Sequence, residues 1–290
     1  MSVIKKVLDV FEIDAHLVTT CNYSCSYCIN EEQRHAIGAQ IMTTEMFSKL
    51  LDLMETSDAS QKIVTMFGGE PTLNNSYIEM ANMVLERGFW LDTMTNFHKP
   101  KGFFDGIKGP SERVKFSLSY HIEHVDHEDF EHRLGHLVSK GYSINVCMVA
   151  PPGRWEDVFQ AHAKLQDKFP TVECNFVPDA KSVESPEYQT WVMSKGGLKG
   201  IEDSYHSDFS TVVDAPIDIR SRTRLGEVCI VKLSILPNGN VYDCNMLLGS
   251  KYTKGNLIDS VDFSRIRVCQ NKEHCTNESF PIAEYSAGLK

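Results

Sequence analysis

The chain has 290 residues, 42% of them hydrophobic and 23% charged, a composition ordinary for a globular protein and sufficient for a large core. The formal net charge of −10, with no basic stripe, argues against long nucleic acid as a partner. No run of about 18 apolar residues is present and the first residues, Met1-Ser2-Val3-Ile4-Lys5-Lys6, lack the apolar centre of a secretory signal, so no membrane span and a cytoplasmic location are expected. Nine cysteines, an odd number in a chain with no secretion signal, point to metal or cluster ligation rather than a disulfide framework.

Residues 11–19 read as a strand, with Phe11, Ile13, Ala15 and Leu17 alternating against polar positions. The run Cys21-Asn22-Tyr23-Ser24-Cys25-Ser26-Tyr27-Cys28 follows directly. Three thiolates on one short loop can hold three corners of a cubane cluster and leave the fourth iron open to a small molecule. The spacing is neither that of zinc knuckles nor of the usual ferredoxin runs, and zinc is the competing metal. With the aromatic Tyr27 before the last cysteine, the run resembles the signature of the radical S-adenosylmethionine (SAM) superfamily. The resemblance implies a 4Fe–4S cluster whose open iron chelates the methionine part of SAM. It also implies one-electron cleavage to a 5′-deoxyadenosyl radical and an external reductant such as flavodoxin or ferredoxin.

Thr43 or Thr44 can cap a helix running to about Glu55, with Met46, Leu50, Leu51 and Met54 on one face. Residues 62–67 read as a second strand, ended by Gly68-Gly69-Glu70-Pro71-Thr72. Two adjacent glycines signal a backbone that passes close to something. In the family resemblance this is the second motif, whose backbone accepts from the SAM ammonium group, with Glu70 orienting the loop or the ammonium. Ser76 and Glu79 form a capping-box pattern and Gly88 a helix stop, bounding a second helix.

A third strand, 90–95, ends in Thr95-Asn96, with Phe97 where family strands often carry glycine. The resemblance makes Asn96 a SAM contact, and Ser119, near the end of a fourth strand over 114–120, another. His121, His124, His127, His132 and His136 follow. His132 and His136 fall on one solvated face of a helix predicted over 126–140, whereas His121, directly after the strand, can reach a barrel mouth. Strands over 143–149 and 172–177, joined by a helix over 155–169, complete six strand-plus-helix repeats. Cys147 and Cys174 read as core residues inside these strands. Repeated βαβ units imply a parallel sheet with right-handed crossovers. Six such units agree with the partial (β/α)6 TIM-type barrel implied by the resemblance.

Residues 181–225 read as a bridge, with a helix around 186–194. Beyond it, two strand-like runs flank Pro237-Asn238-Gly239, a hairpin signal. The hairpin brings Cys229 and Cys244 to one end, and Cys269 and Cys275 follow at Cys-x5-Cys. The pattern resembles the twitch domain, the shortened SPASM domain that carries an auxiliary cluster, and implies a second 4Fe–4S cluster on these four cysteines. Tetrahedral zinc is the alternative there. The expected organisation is a partial barrel over 10–180, the bridge, and a small hairpin-containing auxiliary-cluster domain over 226–280. The expected function is hydrogen-atom abstraction from a peptide side chain or small molecule. A non-catalytic iron–sulfur or zinc scaffold is the alternative.

Overall fold

The computed structural model describes residues 10–28, 31–57, 59–179, 185–195, 232–242 and 255–261. The fold is α/β, built mainly of parallel strands, and its sheet is not closed. It divides into two compact units: residues 1–20, 32–91 and 209–290 form the first, and 21–31 with 92–208 form the second. Among the described residues no helix is long and apolar enough to cross a membrane.

In the first unit β1 (Val10–Val18) pairs in parallel with β2 (Gln61–Gly68). The connection carries α1 (Glu31–Ile37) and α2 (Thr44–Glu55). Thr43 caps α2, its hydroxyl accepting from the Met46 N–H. The buried stripe of α2 is Phe47, Leu50, Leu51 and Met54. Met46, expected on that stripe, is instead half-buried, and its thioether packs beside Gly239. After β2 comes α3 (Tyr77–Glu86). Ser76 does not cap α3 with its side chain; Asn74 takes the local role, accepting from the Ser76 N–H and donating to the carbonyls of Leu17 and Met42. Gly88, at φ 75°, ends that helix as expected.

The other edge of β1 is covered by β7 (Lys232–Ile235), also parallel. β7 turns through Leu236–Gly239 into the antiparallel β8 (Asn240–Tyr242), so the Pro-Asn-Gly hairpin forms. Two short strands, β9 (Gly255–Asn256) and β10 (Ser260–Val261), extend that side.

β3 (Trp90–Thr95) begins in the first unit and enters the second at Asp92. Within the second unit β4 (Val114–His121), β5 (Ser143–Ala150) and β6 (Glu173–Pro178) pair in parallel. The expected helix of the β3–β4 repeat is replaced by two 3-10 turns, Phe103–Gly106 and Ser111–Arg113, because Pro100, Gly102, Gly106, Gly109 and Pro110 break any longer run. The other crossovers are α4 (His127–Val138) and α5 (Trp155–Lys168), and α6 (Pro186–Ser194) follows β6. The alternation of β4 is strict. Val114, Phe116, Leu118 and Tyr120 are buried on one face, while Lys115, Ser117, Ser119 and His121 share the other.

Phe97 is the one non-glycine among the described residues with positive φ, at 57°. The backbone there takes the shape the family glycine would allow, and the ring holds it. Phe97 stacks on Phe104, meets Phe130 edge-on at 5.4 Å, and lies under the Arg133 guanidinium at 4.9 Å. Left-handed strain costs about 1 kcal/mol and the buried ring contributes about 3–5 kcal/mol, so the ring wins. Phe97→Gly is therefore expected to destabilise the protein by about 2–4 kcal/mol, read as a lower urea midpoint. An unchanged or higher midpoint would show that the ring does not offset the strain.

Candidate functional site

The chain crosses from the first unit to the second between Thr20 and Cys21, at the C-terminal end of β1. In the first unit, the Gly68-Gly69-Glu70 turn is tied to the residues just before the cysteine loop. The Gly69 N–H donates to the Val18 carbonyl and the Glu70 N–H to the Thr20 carbonyl, both at 2.9 Å. Gly68 has φ 136°, and a Cβ there would stand 2.2 Å from the Val18 oxygen. The neighbour that excludes side chains is thus the backbone of β1. Glu70 is fully buried, and its carboxylate accepts from the N–H and hydroxyl of Thr72, capping the 3-10 turn Pro71–Leu73.

In the second unit the loop from Cys21 to Cys28 is held against the end of β4 and the turn that follows. The Ser26 N–H and hydroxyl both donate to Glu123, at 3.0 and 2.6 Å. Tyr23 stacks on His124 with ring centroids 4.5 Å apart. Tyr27 stacks on His121, and its hydroxyl lies 3.0 Å from His121 Nδ1. The Cys25 sulfur lies 3.5 Å from the same nitrogen and is also hydrogen-bonded to the Tyr27 hydroxyl. Asn96, just after β3, donates from Nδ2 to Asn22 Oδ1 at 2.8 Å and to the Cys21 sulfur at 3.8 Å. Its Oδ1 accepts from the His98 N–H.

Burial, with the nearby Cys21 and Cys28, pushes the Cys25 thiol up to about 12. Burial also raises Tyr27, helped by Cys25 and Glu123. His121 is driven down to about 4 by burial and by His124, so its imidazole is neutral near pH 7. Burial opposes ionisation of Glu123, but the Ser26 hydrogen bonds and His124 keep it below its ordinary value. Three sulfurs close enough for Cys21 and Cys28 to oppose ionisation of Cys25 are a donor set that a cationic iron centre would satisfy. Soft thiolates favour zinc, copper(I) or iron–sulfur clusters.

Ser119 is half-buried on the polar face of β4 and registered with Cys147, which is registered in turn with Asn175. Cys147 is half-buried on this polar face, not in the core as expected, because β5 buries Ile144, Val146, Met148 and Ala150 on its other side. Cys174 does lie in the core. Below this layer Ser117 donates to Asp92, and Asn175 bridges Asn145 and Glu173. Met94, on the same side of β3 as Asp92, is 39% exposed. His132 is exposed and His136 pairs with Asp105. Cys229, Cys244, Cys269 and Cys275 lie outside the described residues.

Glu123 was not singled out as a site residue by the sequence, and His124 only as one of the run of five histidines. Their ligand-capable atoms lie with the Cys25 sulfur within 4.8 Å of one another. The long-range pairing with Ser26 leaves no local pattern that would have found it; the only signal was the placement of His121 directly after a strand.

Residues 14–98 match the family model described as a 4Fe-4S single cluster domain. The chain is 28% identical over 86 residues to an S-adenosylmethionine-dependent nucleotide dehydratase of Selenomonas ruminantium, covering 30% of each chain. It is 26% identical over 91 residues to a putative glycyl-radical enzyme activating enzyme of Methanocaldococcus jannaschii, covering 30% of this chain and 32% of that one. The match thus spans about a third of these curated relatives. Among solved structures, anSMEcpe with bound AdoMet aligns with TM-score 0.61 at 16% identity, covering 87% of this chain and 79% of that one. Streptococcus suis SuiB bound to precursor peptide SuiA aligns with TM-score 0.61 at 12% identity, covering 87% and 63%. These likenesses give the chain the fold of anSMEcpe and SuiB and, over residues 14–98, a resemblance to a 4Fe-4S single cluster domain that includes the three-cysteine loop at the end of β1.

Proposed function

We propose that the chain is a radical SAM enzyme that abstracts a hydrogen atom from a peptide or protein side chain or from a small molecule. The observation that carries this reading is the loop itself. Cys21, Cys25 and Cys28 lie on one turn, pinned by Glu123, His121 and His124, directly after a parallel strand. When bound, the cluster and SAM supply reductive cleavage of SAM and a 5′-deoxyadenosyl radical, the hard part of the chemistry. The three cysteines hold the cluster. Tyr27, Asn96 and Ser119, together with Gly68, Gly69 and Glu70, contact SAM. Glu70, committed to Thr72, acts by fixing the turn rather than as a proton donor. Asn96 orients Asn22 and the Cys21 side of the loop.

The polar layer of Ser119, Cys147 and Asn175 suits the polar part of a substrate. A peptide is supported by two fold neighbours that were solved with peptides, SuiB with SuiA and anSMEcpe with Kp18Cys peptide. Burial holds the Cys147 thiol up at about 11, so it is protonated near pH 7 and serves as a contact rather than a nucleophile. An external flavodoxin or ferredoxin supplies the electron in the cytoplasm. Cys229, Cys244, Cys269 and Cys275 hold an auxiliary 4Fe–4S cluster in a twitch-like segment, a reading supported by their spacing around Gly239.

Anaerobically reconstituted, reduced protein is expected to convert SAM to 5′-deoxyadenosine and methionine, slowly without substrate, as followed by liquid chromatography. Methylthioadenosine or S-adenosylhomocysteine as the only product would overturn the reading.

A further inference from the structure

Cys25 is the loop cysteine whose sulfur meets the end of β4. Two potential donors from different parts of the chain converge on its sulfur. The His121 ring comes from the last residue of β4, and the Tyr27 hydroxyl from two residues further along the same loop. The two are themselves 3.0 Å apart and stacked, with ring planes 20° apart, so each fixes the other's direction. His121 carries its nitrogen to this point because β4 alternates strictly and Phe116, Leu118 and Tyr120 anchor the opposite face. The following turn is locked by its own backbone, since the N–H groups of His124 and Val125 both donate to the His121 carbonyl. Glu123 then holds Ser26, the residue between Cys25 and Tyr27. The sulfur therefore cannot leave its donors without breaking four separate contacts.

A thiolate that ligates iron has no proton of its own and only accepts. Hydrogen bonds to such a sulfur withdraw negative charge from it and favour the state with one more electron. We propose that His121 and Tyr27 are positioning residues that donate hydrogen bonds to the Cys25 sulfur and so raise the reduction potential of the iron–sulfur centre held by the cysteine loop. This rests on the reading that Cys25 is a cluster ligand. Cys21 has donors of its own, the Tyr23 N–H at 3.4 Å and Asn96 Nδ2 at 3.8 Å, the latter shared with Asn22.

The test is a redox titration of anaerobically reconstituted protein, followed by the electron paramagnetic resonance signal of the reduced cluster, with iron content measured in parallel. His121→Phe keeps a ring and removes the donor. It is expected to take up iron as the wild type does and to lower the one-electron reduction equilibrium about tenfold, which is about 59 mV. His121→Gln keeps an N–H and is expected to stay near the wild-type potential. Tyr27→Phe keeps the stacked ring and is expected to shift in the same direction as His121→Phe; it carries the test if His121→Phe does not fold. Iron-loaded variants with the wild-type potential would overturn this proposal alone. A His121→Gln shift as large as that of His121→Phe would also overturn it, since packing and not donation would then matter. Wild-type protein that takes up no iron would overturn the cluster reading and this proposal with it.

Discussion

Replacing Cys21, Cys25 and Cys28 together with alanine is expected to cut bound iron from about eight to about four per chain and to reduce 5′-deoxyadenosine formation to the reagent blank. The two readouts separate the two cysteine sets. On the proposed reading the loop trio supplies the cluster with an open iron, and SAM cleavage needs that iron alone. The remaining iron would then belong to Cys229, Cys244, Cys269 and Cys275. Cys25→Ala by itself is expected to abolish cleavage as completely, because two thiolates cannot hold a site-differentiated cubane and because Cys25 is the ligand gripped by His121 and Tyr27. The folded state is expected to survive this change. The loop is also held by the Ser26–Glu123 hydrogen bonds and the Tyr23–His124 stack, neither of which involves a sulfur. Circular dichroism checks folding, inductively coupled plasma analysis counts iron, and chromatography counts nucleoside. A triple variant that keeps all its iron, or one that still cleaves SAM, would refute the assignment of the loop. A wild type holding one zinc and no iron would refute both sets as cluster ligands.

The second large effect is on stability. Gly68→Ala places a methyl group 2.2 Å from a backbone oxygen that cannot swing away, in a residue at φ 136°. The positive φ alone costs about 1–3 kcal/mol. Relieving the clash pushes the turn off β1 and breaks the Gly69 and Glu70 hydrogen bonds to Val18 and Thr20, which adds about 1–3 kcal/mol. The sum, about 2–6 kcal/mol, is a large part of a typical net stability of about 5–15 kcal/mol. A fall in melting temperature of roughly 4–24 °C is expected, by differential scanning fluorimetry. Gly38→Ala is the control. It also has positive φ, at 76°, but nothing lies within 4 Å of its added carbon, so only about 1 kcal/mol is expected. Equal losses in the two variants would show that the Val18 contact is not what Gly68 protects.

The parts of this architecture that local chemistry encodes were legible in the sequence. Alternation found the strands, and the helices read over 126–140 and around 186–194 form as α4 and α6, capped by Asp126 and Ser185. The paired glycines at 68 and 69 announced a close approach, but not its partner. That partner is a carbonyl some fifty residues earlier, brought alongside by the parallel register of β1 and β2. The missing β3–β4 helix could have been read from the density of glycine and proline between 100 and 110. Met46 and Phe47 were transposed because both fit an apolar stripe; Phe47 is the buried one, and Met46 packs beside Gly239, almost two hundred residues away. Cys147 reads as core by its hydrophobic neighbours, yet parity along β5 puts it with Ser119. The grip of Glu123 on Ser26 joins two loops with no shared pattern, and only the fold reveals it.

The pairing of β7 with β1 has a consequence for how the chain is made. β1 meets its first neighbour, β2, once about sixty residues exist, whereas Glu12 finds its partner on the other edge only at Lys232. At ribosomal speeds of about 5–20 residues per second, that edge waits roughly 8–33 s after β2 has emerged. Through this interval β1 presents an unpaired edge and the apolar row Phe11, Ile13, Ala15 and Leu17, immediately before three reduced thiols. An open edge of this kind templates pairing with other chains. Ribosome-bound intermediates halted between β6 and β7 should therefore be the aggregation-prone and oxidation-prone species of this protein, and slow codons in that stretch would prolong their exposure.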